Sequence, residues 1–241
     1  MTENFLGQMR PVDGKWHGLA ATPTGDKLIV SQYQGEVGVL VAGKGDRKIE
    51  GLLGMQGCLA SKERFVPIAD FGPELSTALK DPDDDRPFAE KITLPAGDYY
   101  PSMMTVHMGR LSIEISNNYH TDGHPLALGR DKVYGIKIRK DQPYVLDFSN
   151  KPEVLFANPA KETTVKPGQD LRVDAVLIDP VLDIMIRGLE DTSRTAKQKL
   201  TIGRPNGAET REFDMPLSLE PKVVITDAAG KTVAEGVMPF G

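Results

Sequence analysis

Residues 94–125 read LPAGDYYPSMMTVHMGRLSIEISNNYHTDGHP, and the fold turns on how this run divides. Met104, Val106 and Met108 are apolar at every second position, and beyond Gly109-Arg110 so are Leu111, Ile113 and Ile115. Such alternation argues for two half-buried strands. A Gly-X pair suits the first central position of a type II′ hairpin turn. A two-residue loop at Gly109-Arg110 therefore sets Met108 opposite Leu111, Val106 opposite Ile113 and Met104 opposite Ile115. Both strands then turn the same apolar face inward. Thr105, His107, Ser112 and Glu114 fall on the other face, as expected of an antiparallel pair with one wet side.

The register also sorts the chemistry. Asn117 falls opposite Ser102, so the loop 117–124 leaves the sheet beside Tyr99 and Tyr100. His107 lies about five residues away, roughly 17 Å at about 3.4 Å per residue. It is predicted not to share a metal with His120 or His124 unless the loop doubles back. The candidate binding residues are Tyr99, Tyr100, Asn118 and Tyr119, whose rings and amide combine flat apolar faces with hydrogen-bonding groups, as glycan and peptide sites do. His120, Asp122 and His124 form a second candidate set. Two imidazoles and a carboxylate within five residues, with Asp122-Gly123 to turn the chain, could supply three ligands to a divalent metal such as zinc, copper or nickel.

Outward from this stretch the chain keeps the same character. Strands are expected over Lys27–Tyr33, Gly35–Ala42, Arg64–Ala69, Lys132–Arg139 and Pro143–Phe148, with one or two helical turns over Pro73–Leu79. Residues 1–14 read as an amino-terminal arm. Gly51, Gly54 and Gly57 suggest a phosphate loop only at first sight, because no Gly-Lys-Ser/Thr ending and no helical sequence follow. They read as glycines at strand edges and a tight loop. Asp81, Asp83 and Asp85 have the spacing of a calcium loop, but Arg86 stands where its turn glycine belongs, so the segment reads as a solvated acidic loop.

Alternation stops around Ser149-Asn150-Lys151-Pro152 and then resumes, which places a domain boundary between residues 149 and 150. Seven strands are expected beyond it: Glu153–Asn158, Asp170–Ile178, Leu182–Gly188, Lys199–Gly203, Glu209–Asp214, Lys222–Thr226 and Lys231–Val237. Lys166-Pro167-Gly168, Asp179-Pro180, Pro205-Asn206-Gly207 and Asp227-Ala228-Ala229-Gly230 separate them as turns. Seven strands in about ninety residues is the count of an immunoglobulin-like sandwich. With VKPGQDLRVDAVLID as opening strands and PKVVITDAAGKTVAEG as a late hairpin, residues 153–241 resemble bacterial Ig-like or fibronectin III-like modules. The resemblance implies a β-sandwich and a role in adhesion, scaffolding or ligand presentation, and it carries over no catalytic residue. LPAGDYY in the first half is similar to a turn-and-strand phrase of transthyretin-like exported modules.

Composition bounds the function. With 241 residues, 39% of them apolar, the chain can build two cores. A net charge of −5 with intermixed signs provides no basic stripe for nucleic acid. No apolar run approaches the roughly 20 residues of a transmembrane span. Cys58 is the sole cysteine, so no internal disulfide forms, and its surroundings GMQGCLAS read as a small buried hydrophobe. MTENFLGQMRPVDG lacks the basic and apolar regions of a signal peptide. Strand-rich sequence with many turns nevertheless points to the periplasm or the extracellular space, with Met1 standing where a removed leader ended; one cysteine is also compatible with the cytoplasm.

Catalytic signatures are lacking. No G-x-S-x-G or H-E-x-x-H motif occurs. Asp179 and Asp183 straddle Pro180 and read as turn residues. Met103, Met104 and Met108 flank His107, but the register sends Met104 and Met108 into the core and His107 out. The expectation is an all-β chain of two antiparallel sandwich domains, 15–149 and 150–241, the second Ig-like, acting as a non-catalytic binding or structural module for a glycan, peptide or protein. The competing expectation is a metal-binding protein or metal-dependent enzyme built on His120, Asp122 and His124.

Overall fold

A computed structural model describes residues 8–12, 14–68, 76–80, 87–115, 135–159, 163–166, 168–204 and 207–240. Among these the chain is all-β, with no helix. In order the strands are β1 (Gln8–Val12), β2 (Lys15–Ala21), β3 (Leu28–Gln32), β4 (Val37–Gly43), β5 (Leu53–Ala60), β6 (Phe65–Pro67), β7 (Ser76–Lys80), β8 (Pro87–Pro95) and β9 (Gly97–Met108). They continue with β10 (Leu111–Ile115), β11 (Ile136–Ile138), β12 (Tyr144–Asp147), β13 (Glu153–Asn158), β14 (Asp174–Asp179), β15 (Ile184–Arg204), β16 (Gly207–Ser218), β17 (Lys222–Thr226) and β18 (Thr232–Val237).

The hairpin expected from the alternation is β9–β10, in the expected register: Met108 pairs Leu111, Val106 pairs Ile113 and Met104 pairs Ile115. Gly109 has φ 63°, which the first central position of a type II′ turn requires. A Cβ there would lie 2.6 Å from the carbonyl oxygen of Glu50, so glycine is fixed by space as well as by conformation.

This hairpin is the middle of one mixed sheet. The path runs β13-β14-β15-β10-β9-β5-β6-β1-β2-β3, with β16 continuing from β15, while β8, β4, β12, β7 and β11 branch from β5 and β9. Trp16 on β2 reaches the branch, its Nε1 donating to Thr93 O on β8 at 3.0 Å. The apolar faces meet in one buried cluster that includes Leu40, Met55, Leu59, Ile92, Tyr99, Met104, Val106, Ile113, Ile115 and Leu146.

Several expectations change in the packed molecule. Within the stretch read as an arm, Gln8–Val12 forms β1 and pairs β2, with Met9 buried in the core. Ser76–Lys80 is strand, not helix: β7 pairs β8 from Ser76↔Ile92 to Lys80↔Pro87. A single helical turn has almost no hydrogen bonds to offset its nucleation, whereas an edge strand gains a ladder at once. Gly54 stands next to the start of β5, whereas Gly57 stands well inside it. At Gly57, with φ 117°, a Cβ would sit 2.1 Å from Met103 O beside the bulge at Cys58/Leu59. The wet face of the hairpin is partly covered too. Ser112 is buried, and Phe88 from β8 packs edge-on against His107 with ring centroids 4.2 Å apart. Gly54, opposite His107, makes room for this: its Cβ would stand 2.9 Å from that of Phe88.

In the second half β13, β17 and β18 match expectation closely, while β14, expected from Asp170, begins at Asp174. Leu182–Gly188 and Lys199–Gly203, expected as two strands, belong to one, β15. A register shift between Asp191 and Thr195 carries it across the polar stretch, and Asp191 Oδ1 accepts from Ser193 N at 3.1 Å and Oγ at 2.6 Å. Beyond the shift, Thr195–Arg204 pairs Gly207–Pro216 as a two-stranded ribbon about 30 Å long at about 3.4 Å per residue. The expected boundary at 149/150 lies between β12 and β13, yet β15 pairs β10 from Leu111↔Asp191 to Ile115↔Ile186, so the two halves share the sheet.

Candidate ligand-binding site

At the Tyr99 end of the central hairpin two tight connections face each other. The turn Ser61–Arg64 joins β5 to β6 and is closed by Ser61 N donating to Arg64 O at 2.7 Å. The Ser61 hydroxyl accepts from Glu63 N at 3.2 Å and Arg64 N at 2.9 Å. Serine suits this position because a short side chain can satisfy the backbone of its own turn. Across from it, Ala96 links β8 to β9, and its N–H donates to Glu36 O at 2.8 Å. Between the two connections lies an open cleft of about 420 Å³ lined by Ser61, Lys62, Glu63, Arg64, Ala96, Gly97 and Asp98.

Arg64 braces the cleft. Its Nη1 donates to Ala96 O at 3.1 Å, and its guanidinium lies 5.0 Å from the centre of the Tyr33 ring, a cation–π geometry. Beneath it, Tyr99 is fully buried and its hydroxyl donates to Pro95 O at 2.8 Å. Burial pushes the Tyr99 phenol up, against the hydrogen bond and charge of Arg64, which pull it down. On the rim Asp98 accepts from Arg139 Nη2 at 2.6 Å, while Arg139 Nη1 caps Gly97 O at 3.2 Å and Ile138 O at 3.0 Å.

Of the residues singled out in the sequence, Tyr99 and Tyr100 are both buried and turn to opposite sides of β9, so they do not form one exposed aromatic platform. Asn118, Tyr119, His120, Asp122 and His124 lie outside the described residues. Among the described residues no three of His, Cys, Asp and Glu cluster as metal ligands. His17 Nδ1 is 3.1 Å from Lys15 O, and His107 stands against Phe88. Asp179 caps its own turn, Oδ1 accepting from Val181 N and Leu182 N at 3.0 Å each, as the Asp-Pro sequence implied.

The sequence did not single out Arg64, Tyr33 or Asp98. The one local signal was the polar turn Ser61-Lys62-Glu63-Arg64 between two apolar runs. At the other end of the hairpin a wider hollow is lined by Arg47, Lys48, Glu50 and Arg110. There Arg47 is engaged with Ser149 O at 3.1 Å, and the Arg110 carbonyl accepts from Thr192 N at 2.8 Å. No helix among the described residues is long and apolar enough to cross a membrane. No family model, no curated protein and no solved structure matches this chain.

Proposed function

We propose that this chain is a non-catalytic, exported β-sandwich protein, a binding or structural module that holds a glycan, peptide or protein ligand in the cleft between Ser61–Arg64 and Ala96–Asp98. One observation carries the reading: Arg64 ties the two walls together from a turn whose own backbone is hydrogen-bonded, so the cleft is formed before a ligand arrives. Pre-formed concavity of a few hundred Å³ is the usual setting for small-ligand recognition, since little ordering remains to be done on binding. In this reading the two halves are sandwich modules, the second Ig-like, coupled through the β10–β15 ladder. Frequent turns and abundant strands support export.

Backbone amide shifts measured by NMR during titration with glycan and peptide panels test the site. Shifts centred on Ser61–Arg64 and Ala96–Asp98 are expected, and ligands that perturb only other surfaces would refute it. The metalloprotein alternative rests on His120, Asp122 and His124. It gains if purified protein carries stoichiometric zinc, copper or nickel that the double change His120→Ala, His124→Ala removes.

A further inference from the structure

We infer that the cleft selects a carboxylate, that of an acidic peptide, and that Arg64 is the group that reads it. This rests on the cleft being the binding site and adds the ligand class. Arg64 is half-buried, and no carboxylate forms an ion pair with it among the described residues. Its surroundings differ in this from those of nearby cations: Arg139 has Asp98 at 2.6 Å and Lys140 has Glu36 at 3.5 Å. Partial burial of a guanidinium takes away hydration that only an anion or several acceptors restore.

What holds Arg64 is one carbonyl, one ring face and the neighbouring Tyr99 phenol. A guanidinium carries five N–H donors in a planar fork that matches a carboxylate edge, so part of the fork is left for a ligand. The side chain is also held in place, and a fixed fork loses less freedom on binding than a mobile one. Two carboxylates line the cleft, Glu63 and Asp98, and Asp98 is already paired with Arg139, which lowers its repulsion of an incoming anion. An acidic sugar fits less well. Arg64 takes one face of the half-buried Tyr33 ring and Tyr99 is buried, so little ring surface is left for a sugar to stack on.

The test is isothermal titration of the full chain with tetraglutamate, its C-terminally amidated form, amidated tetraglutamine and trigalacturonate. Acidic peptides are expected to bind at least about tenfold more tightly than the glutamine peptide, a difference of about 1.4 kcal/mol. Rising ionic strength should weaken them, and Arg64→Gln should erase the preference. Loss of binding on amidation assigns the terminal carboxylate; retention assigns the side chains. Arg64→Lys keeps charge without the fork and serves if the glutamine variant fails to fold; it should bind several-fold more weakly. Equal binding of glutamate and glutamine peptides with amide shifts in the cleft overturns the carboxylate inference and leaves the binding site standing. Tighter binding of trigalacturonate than of any peptide overturns the peptide assignment. No binding by any probe overturns both.

Discussion

Gly57 and Gly168 both have positive φ, 117° and 81°, yet they answer to different constraints. At Gly57 the Met103 carbonyl occupies the place of a Cβ, while at Gly168 nothing lies within 4 Å. Gly168→Ala is expected to lose about 1–2 kcal/mol from conformation alone. Gly57→Ala adds a backbone clash and should lose more than about 3 kcal/mol, both read from urea denaturation. Equal losses would show that β5 relaxes freely at its bulge. Glu190 presents a different case. Burial first, and then the charge of Glu114 on the neighbouring strand, raise its pKa. A carboxyl with a raised folded-state pKa favours the folded state while protonated and penalises it as pH rises through that pKa. Glu190→Gln should therefore stabilise the protein at pH ~7 by about 0.2–1 kcal/mol, the usual size of a cross-strand pair effect, and do nothing below the ordinary glutamate pKa of about 4.3. Thermal melts at the two pH values check this, and a gain only in acid would reverse the sign.

At the scale of elements, the sheet ends at β3 and β13 with apolar side chains in water. Leu28, Ile29 and Val30 are 64%, 51% and 54% exposed, and Phe156 on β13 is 57% exposed. An edge strand with unpaired backbone and apolar side chains is a template for pairing with another chain, and an edge lysine blunts it. Ile29→Lys should change folding stability by no more than about 0.5 kcal/mol while lowering self-association in light scattering. A loss of several times that would place Ile29 in the core. The β15–β16 ribbon has its own logic. Lys199 pairs Glu212 at 3.5 Å and the Thr201 and Thr210 hydroxyls meet at 3.0 Å, so cross-strand polar pairs support strands that the core does not cover.

For the whole molecule, the decisive contact is β10 against β15. Ile113 and Ile115 enter the same buried cluster as Ile184 and Ile186, from opposite sides of the expected domain boundary. Unfolding in urea is therefore expected as one transition by both fluorescence and circular dichroism, and a fragment ending at residue 149 should aggregate because β10 becomes an open edge. Two separate transitions, or a stable monomeric fragment, would show that each half folds alone.

The hairpin register and the positions of β13, β17 and β18 follow from the sequence alone, because alternation with period two and turn chemistry act between neighbours in the chain. The long reach of β15 was hidden by its polar middle, which resembles a loop until Asp191 and Ser193 are seen to absorb the register shift. Arg64 was illegible for a related reason: a polar turn residue acquires meaning only when Tyr33, Ala96 and Tyr99, distant along the chain, arrive around it. Which strands become neighbours, and which cation is left half-buried without an anion among the described residues, were decided by tertiary packing, since burial and charge pairing depend on what folding brings near.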